Sequence, residues 1–144
     1  MPEPHCIDCA AEGIKRSRSA PYGGPRTPRC ATHWKALVRQ RKSNAHSRRI
    51  EKGFGITSDQ YWKIYEAQGG TCAICQRATG KAKRLAVDHE HHREGCEHPP
   101  EQGCPKCVRA LLCSPCNVAI GRLGIAALYR AIEVLVNPPA RKVL

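Results

Sequence analysis

Large aromatic side chains are scarce in this sequence. Its 144 residues include one Phe, two Trp and four Tyr, and aromatic residues make up only 5% of the chain. A chain of this size with so few aromatics has a thin hydrophobic core, and small cores are commonly supplemented by metals or disulfides. The sequence therefore predicts one small domain, or one domain with an appendage, that needs stabilisation beyond its core.

Long apolar runs are also missing. No stretch approaches the ~20 apolar residues of a transmembrane helix, which excludes a spanning segment. The N-terminal residues contain no apolar run of signal-peptide type. We therefore expect a cytoplasmic protein without a membrane partner. Because thiols stay reduced in the cytoplasm, the ten cysteines favour zinc ligands over disulfides.

Acidic residues are half as numerous as basic ones. Asp and Glu number 12 against 24 Lys and Arg, and the formal net charge is +12. Zinc thiolates would cancel part of that charge but leave the chain strongly basic. Nucleic acid is the natural partner of such a surface, although a solvated basic surface would have the same composition.

The cysteines fall into closely spaced pairs near histidines, a pattern typical of structural zinc sites. They divide into three ligand sets. In the N-terminal set His5 competes with His33 as a ligand, and in the third set, at residues 96–107, His92 is a substitute for His98. The alternative for the third set is a flexible loop with free thiols. The three sets account for all ten cysteines: Cys6, Cys9, Cys30 and His33; Cys72, Cys75, Cys113 and Cys116; and Cys96, His98, Cys104 and Cys107.

Composition divides the chain into three parts. Residues 1–34 form an N-terminal zinc-binding unit, residues 35–56 a basic helix or linker, and residues 57–144 a second domain with C-terminal helices. The helix predicted over 34–52 has too small an apolar face to be buried alone, so it either lies along DNA or is a solvated linker. We expect His46 to be a surface residue of this helix or a phosphate contact. The residues predicted to contact DNA are Arg39, Arg41, Lys42, Arg48, Arg49 and Lys52.

The loop between Cys9 and Cys30 is rich in Pro, Gly and Arg and cannot form a core of its own. We predict that its basic residues contact phosphate. These are Lys15, Arg16, Arg18, Arg26 and Arg29.

Two short apolar runs end in polar residues. Leu85 to Val87 lead into Asp88 and His89, and Leu111-Leu112 lead into a helix start that carries Asn117. If the runs pair as a hairpin, Asp88, His89 and Asn117 converge where strand meets helix. Carboxylate and amide oxygens suit a hard divalent cation, and histidine suits a general base.

The motifs together resemble the HNH nucleases, and within them the recombination endonuclease VII family of phages. The resemblance covers about Thr57 to Gly124, roughly half the chain. It rests on YWKIYEAQGG at 61–70, CAIC at 72–75, VDHEH at 87–91 and LLCSPCN ending at Asn117. One departure is the longer loop between Asp88 and Asn117, which carries the third ligand set.

The resemblance implies a small α+β fold stabilised by zinc. Its centre would be a ββα-metal (HNH, or His-Me finger) core, with an N-terminal zinc knuckle and flanking helices. It further implies a DNA endonuclease, with His89 as the base, Asp88 and Asn117 holding Mg2+ or Mn2+, and His91 contacting phosphate or metal. The resemblance also implies a 5′-phosphate product and a homodimer. It implies phage packaging or recombination proteins as partners and the host cytoplasm as location.

Two other functions fit parts of the sequence. A zinc-stabilised nucleic-acid-binding module without catalysis explains the charge and the cysteines, but not the positions of Asp88, His89 and Asn117. A zinc-dependent adaptor that binds protein leaves the +12 charge unexplained.

Overall fold

The computed structural model describes residues 5–14, 18–91 and 93–144. Lys15, Arg16 and His92, for which the sequence predicts contacts, lie outside the described residues. The chain divides into two compact units, Met1–Arg49 and Ile50–Leu144. The elements, in order, are α1 (Ile7–Ala11), α2 (Ala31–Phe54), α3 (Ser58–Ala67), β1 (Ala86–His89), β2 (Val108–Leu112), α4 (Ser114–Val136) and a 3-10 turn (Pro139–Lys142).

The first unit is built around its cysteines. Cys6, Cys9 and Cys30 are buried together with Ala20, and Ile14 packs against them. Arg29, predicted as a phosphate contact, donates from Nε to Oδ2 of Asp8 at 2.7 Å. This ion pair ties the residue before Cys30 to α1.

Helix α2 is longer than predicted, since it begins directly after Cys30 and ends at Phe54. Gly55 follows with φ +64°, a left-handed conformation that ends helices readily. The prediction that His46 lies on the surface is wrong, because the residue is only 6% exposed. It lies one turn before the buried Ile50 and therefore on the same helix face.

Helix α3 begins with a capping box. The Thr57 hydroxyl accepts from the Gln60 N–H, and the Gln60 side chain accepts from the Thr57 N–H. Tyr61 on this helix is 1% exposed and donates from its hydroxyl to the Leu85 carbonyl at 2.9 Å. The start of the hairpin is therefore tied to α3.

Strands β1 and β2 form the predicted antiparallel hairpin. Asp88 lies opposite Ala110 and His89 opposite Val108, so Arg109 is the extra residue of a β-bulge. Gln68 bonds both backbone groups of Leu111, accepting from its N–H at 2.7 Å and donating to its carbonyl at 2.9 Å. These contacts fix β2 beside α3.

The core of the second unit lies between the hairpin and α3. Helix α4 packs against β1 at one side of this core. The buried members are Ile50, Ile56, Tyr61, Cys72, Leu85, Val87, Leu111 and Leu112. A small α+β architecture with Cys/His clusters is thus confirmed.

Helix α4 is kinked at Gly124, whose φ of 66° and ψ of 167° are not helical. Glycine has a weak helix propensity, which suits this break. Beyond the kink, Ile125, Tyr129 and Leu135 are 72%, 70% and 79% exposed, so this apolar face is not covered by the described residues. Among the described helices, none is long and apolar enough to cross a membrane.

Candidate active site and metal-binding clusters

Asp88 is held at the end of β1 by Arg109. The guanidinium donates from Nε to Oδ2 at 2.8 Å and from Nη2 to Oδ1 at 2.9 Å, in the two-bond geometry that arginine forms with carboxylates. The bulge directs the Arg109 side chain toward its partner. Hydrogen bonding to Asp88 raises the pKa of Arg109, so the guanidinium stays charged. Each carboxylate oxygen retains a second lone pair that can bind another ligand.

His89 is buried at the bulge. Its Nε2 lies 3.1 Å from the Pro100 carbonyl oxygen, which can only accept, so Nε2 carries the proton. In the neutral imidazole, Nδ1 then has a free lone pair that can accept a proton. The ring packs edge-on against Phe54, with centroids 5.2 Å apart. Orientation and tautomer of this histidine are both defined by its surroundings.

His91 and Asn117, the other two candidate site residues, are less constrained by their surroundings. The exposed His91 has its ring centroid 4.6 Å from that of His89. Asn117 lies half-buried in the first turn of α4, where its N–H donates to the Cys113 carbonyl at 3.0 Å. No other described residue forms a hydrogen bond with the Asn117 amide group. Its oxygen is therefore available to a ligand.

The three predicted ligand sets each come together in space. Within each set the candidate ligand atoms lie within 4.8 Å of one another. Sulfur–sulfur distances such as 3.9 Å for Cys9–Cys30 and 3.8 Å for Cys75–Cys113 are far too long for a disulfide. They match the edge of about 3.8 Å expected for a tetrahedron with Zn–S bonds of about 2.3 Å. All three clusters could hold zinc.

Both cluster histidines are oriented as metal ligands usually are. Nδ1 of His33 lies 3.2 Å from the Cys6 sulfur, while its Nε2 lies 3.1 Å from Glu12 Oε2. Nε2 of His98 lies 3.0 Å from the Cys107 sulfur, and its Nδ1 lies 3.2 Å from the Pro99 carbonyl. One nitrogen thus faces the thiols while the other meets an acceptor, which fixes the tautomer that a metal needs.

Thiolate formation is favoured at Cys75, in the cluster that joins β2 to α4. Hydrogen bonds from the Arg77 and Ala78 N–H groups lower the pKa of Cys75 to about 6. Cys72, a member of this cluster, is fully buried in the core. Metal binding there would therefore connect directly to the packing of the hairpin.

Comparison with known sequences identifies the family. The model of recombination endonuclease VII matches residues 47–137. The chain belongs to the recombination endonuclease VII family. Two relatives of this endonuclease VII family member, both called Gene 59 protein, come from Mycobacterium phages L5 and D29. Each is 46% identical over 142 residues, covering 96% of this chain and 77% of the relative. No solved structure matches the chain.

The predicted membership of the recombination endonuclease VII family is thereby confirmed, and both relatives come from phages. Two residues of the candidate site, Arg109 and Pro100, were not predicted from the sequence. A charged residue within a short apolar strand was the available indication for Arg109. Pro100 acts through its backbone carbonyl, for which residue type gives no indication.

Proposed function

We propose that this chain is a metal-dependent DNA endonuclease that hydrolyses phosphodiester bonds at a site formed by Asp88, His89 and Asn117. The observation that carries the proposal is the buried His89, whose Nε2–H is bonded to a carbonyl and whose Nδ1 lone pair is free. A histidine held in one tautomer is a good general base. In a member of an endonuclease family, its substrate would be DNA.

His89 takes the proton from the attacking water through Nδ1. Asp88 and Asn117 would hold Mg2+ or Mn2+, which supplies charge stabilisation at the phosphate and leaving oxygen. Arg109 keeps the Asp88 carboxylate in one orientation while leaving it lone pairs for the cation. His91, beside His89, contacts the phosphate or the metal. The hairpin and α4 together correspond to the ββα-metal core that the family resemblance implies.

The three Cys/His clusters hold structural zinc in this proposal. A four-thiolate site is closed, with no open position for a reacting water. The zinc ions therefore stabilise the thin core, and the catalytic cation is separate. Zinc analysis of the purified protein is expected to give three ions per chain. A result of two ions per chain would mean that the thiols of one cluster are free.

Helix α2 supplies a DNA-binding surface. All six predicted contacts are exposed, and Arg41, Arg48 and Lys52 lie on one stripe at spacings of seven and four residues. Lys42 and Arg49 lie beside that stripe. A continuous row of positive charge on one helix suits a phosphate backbone.

The exposed apolar face of α4 beyond Gly124 would be covered by a second copy of the chain, as the family resemblance implies. Sedimentation equilibrium should then give twice the mass of one chain. A single-chain mass at all concentrations would contradict the dimer.

Replacing Asp88 or Asn117 with alanine should raise the Mg2+ or Mn2+ concentration needed for half-maximal cleavage. Each substitution removes one oxygen ligand of a cation that accepts few protein ligands. The matched control is Glu90→Gln, which removes the charge of a half-buried carboxylate next to the site. If neither alanine variant changes the metal requirement, the cation is bound elsewhere.

DNA binding should be steeply salt-dependent. Neutralising about 6–10 phosphates lowers affinity by roughly 10^3–10^5 between 50 and 200 mM salt. Replacing Arg48, Arg49 and Lys52 with Gln should reduce the slope of log affinity against log salt by about 2–3. The same charge removed at Arg130, Arg141 and Lys142 is the control. Equal slopes in both triple variants would show that α2 does not face DNA.

A panel of DNA substrates tests the proposed activity and its substrate class. Four-way junction, flap, nicked duplex and linear duplex are incubated with the zinc-loaded protein and Mg2+. Cleavage with a 5′-phosphate product supports the endonuclease. Binding to all four without cleavage would favour the nucleic-acid-binding module.

A further inference from the structure

The loop that carries the third cluster also surrounds His89. The Pro100 carbonyl accepts the Nε2–H of His89 at 3.1 Å. Gly103 lies against the imidazole ring, where an added Cβ would be 3.2 Å from His89 Cδ2 and 2.9 Å from Phe54 Cδ1. The loop backbone therefore touches His89 both through a hydrogen bond and through close packing.

Few contacts other than the cluster hold this loop in place. Pro99, Pro100, Glu101 and Gln102 are all exposed, so the segment buries little surface of its own. It is tied to the fold at Gly103, whose N–H donates to the Gly53 carbonyl at 2.7 Å. The conformation of segment 99–103, which touches His89, therefore depends on the residues at its two ends.

Those ends are ligands of the third cluster. The segment 99–103 lies directly between His98 and Cys104, whose candidate ligand atoms are within 4.8 Å of each other. Cys107 continues the connection, because its carbonyl accepts from the N–H of Glu90, the residue after His89, at 3.0 Å. Closing the cluster around a metal would fix both ends of the segment that bears the Pro100 carbonyl.

We propose that the cluster of Cys96, His98, Cys104 and Cys107 is a zinc site that positions His89. Occupation of the cluster holds the Pro100 carbonyl against Nε2 and so keeps Nδ1 of His89 free as the base. Loss of the metal releases the segment, and the imidazole loses its fixed tautomer. Thiolate and imidazole ligands select zinc over harder cations such as Mg2+. The effect on cleavage rests on the proposed function, whereas the effect on His89 does not.

The test compares two double variants of the full chain that each remove two thiol ligands. Cys96→Ser with Cys104→Ser disables the third cluster, and Cys6→Ser with Cys9→Ser disables the first and is the matched control. Zinc per chain, the 15N spectrum of the His89 ring and single-turnover cleavage with Mg2+ are measured. Each variant should hold two zincs. Only the variant that lacks the third cluster should lose the 15N signal of the Nε2–H tautomer of His89. Its cleavage should be slowed by roughly 10–100-fold, as for other supporting residues of metal and catalytic sites.

A third variant keeps all four ligands of the third cluster and disturbs the contact between the loop and His89. Gly103→Val introduces a side chain where even a Cβ is crowded by His89 and Phe54. It should retain three zincs while the His89 signature changes. Gly103→Val provides the test if the variant without the third cluster does not fold. An unchanged His89 signature in Gly103→Val would overturn the positioning role.

The outcomes separate this inference from the proposed function. A third-cluster variant with two zincs, an unchanged His89 signature and the wild-type rate overturns the positioning role alone. If the wild-type protein cleaves no DNA but the His89 signature still follows occupation of the third cluster, the endonuclease proposal fails and the positioning role stands.

Discussion

Replacing His89 with alanine is expected to lower Mg2+-dependent DNA cleavage by roughly 10^2–10^4-fold, the usual effect of removing a general base. His89 is 9% exposed, and its Nε2–H is already engaged by Pro100, so Nδ1 is the nitrogen that can accept the proton. Single-turnover cleavage of labelled DNA measures the loss. Zinc content and DNA affinity should remain those of the wild type.

Two further variants separate loss of the base from loss of packing. His89→Gln retains a side-chain N–H that can donate to the Pro100 carbonyl but has no basic nitrogen, so it should be as inactive as His89→Ala. Glu90→Gln removes the charge of a half-buried neighbour and should cleave normally. A folded His89→Gln protein with near wild-type rate would remove His89 from the role of base.

Removing zinc is expected to unfold the second unit. A structural zinc site contributes on the order of 10–16 kcal/mol of apparent binding free energy, against a typical net stability of about 5–15 kcal/mol. Cys72 is 0% exposed and lies within the core that includes Tyr61 and Leu111. A zinc-selective chelator should therefore abolish the cooperative thermal transition followed by circular dichroism. Restoring zinc should recover it, whereas adding Mg2+ should not.

Substitution of paired ligands localises the effect. Cys72→Ser with Cys113→Ser should abolish the transition of the second unit without any chelator. Cys6→Ser with Cys9→Ser removes ligands only from the first unit and should leave the second unit folded. A zinc-free protein that keeps its full thermal transition would show that the clusters are not structural.

Local patterns in the sequence predicted much of this architecture. The three ligand sets were found because a tetrahedral metal needs ligands at short, regular spacings. The capping box of Thr57 and Gln60 is equally local, because it depends only on residues three positions apart.

Features that depend on tertiary contacts were not predictable in the same way. The pairing of Arg109 with Asp88 requires the bulge that adds one residue to β2, and nothing in the local sequence fixes that register. The bond from His89 to the Pro100 carbonyl involves a backbone group, which every residue type offers. The burial of His46 depends on which face of α2 is covered, and a long basic helix does not reveal it.

The central claim is that His89 and a cation at Asp88 and Asn117 hydrolyse DNA. Nicking of supercoiled plasmid by the fully zinc-loaded protein, titrated with Mg2+ or Mn2+, tests it most directly. We predict nicking that is absent without the added cation, rises with its concentration to a plateau, and is lost in the folded His89→Ala variant. Plasmid that is bound but never nicked at any cation concentration would contradict the claim.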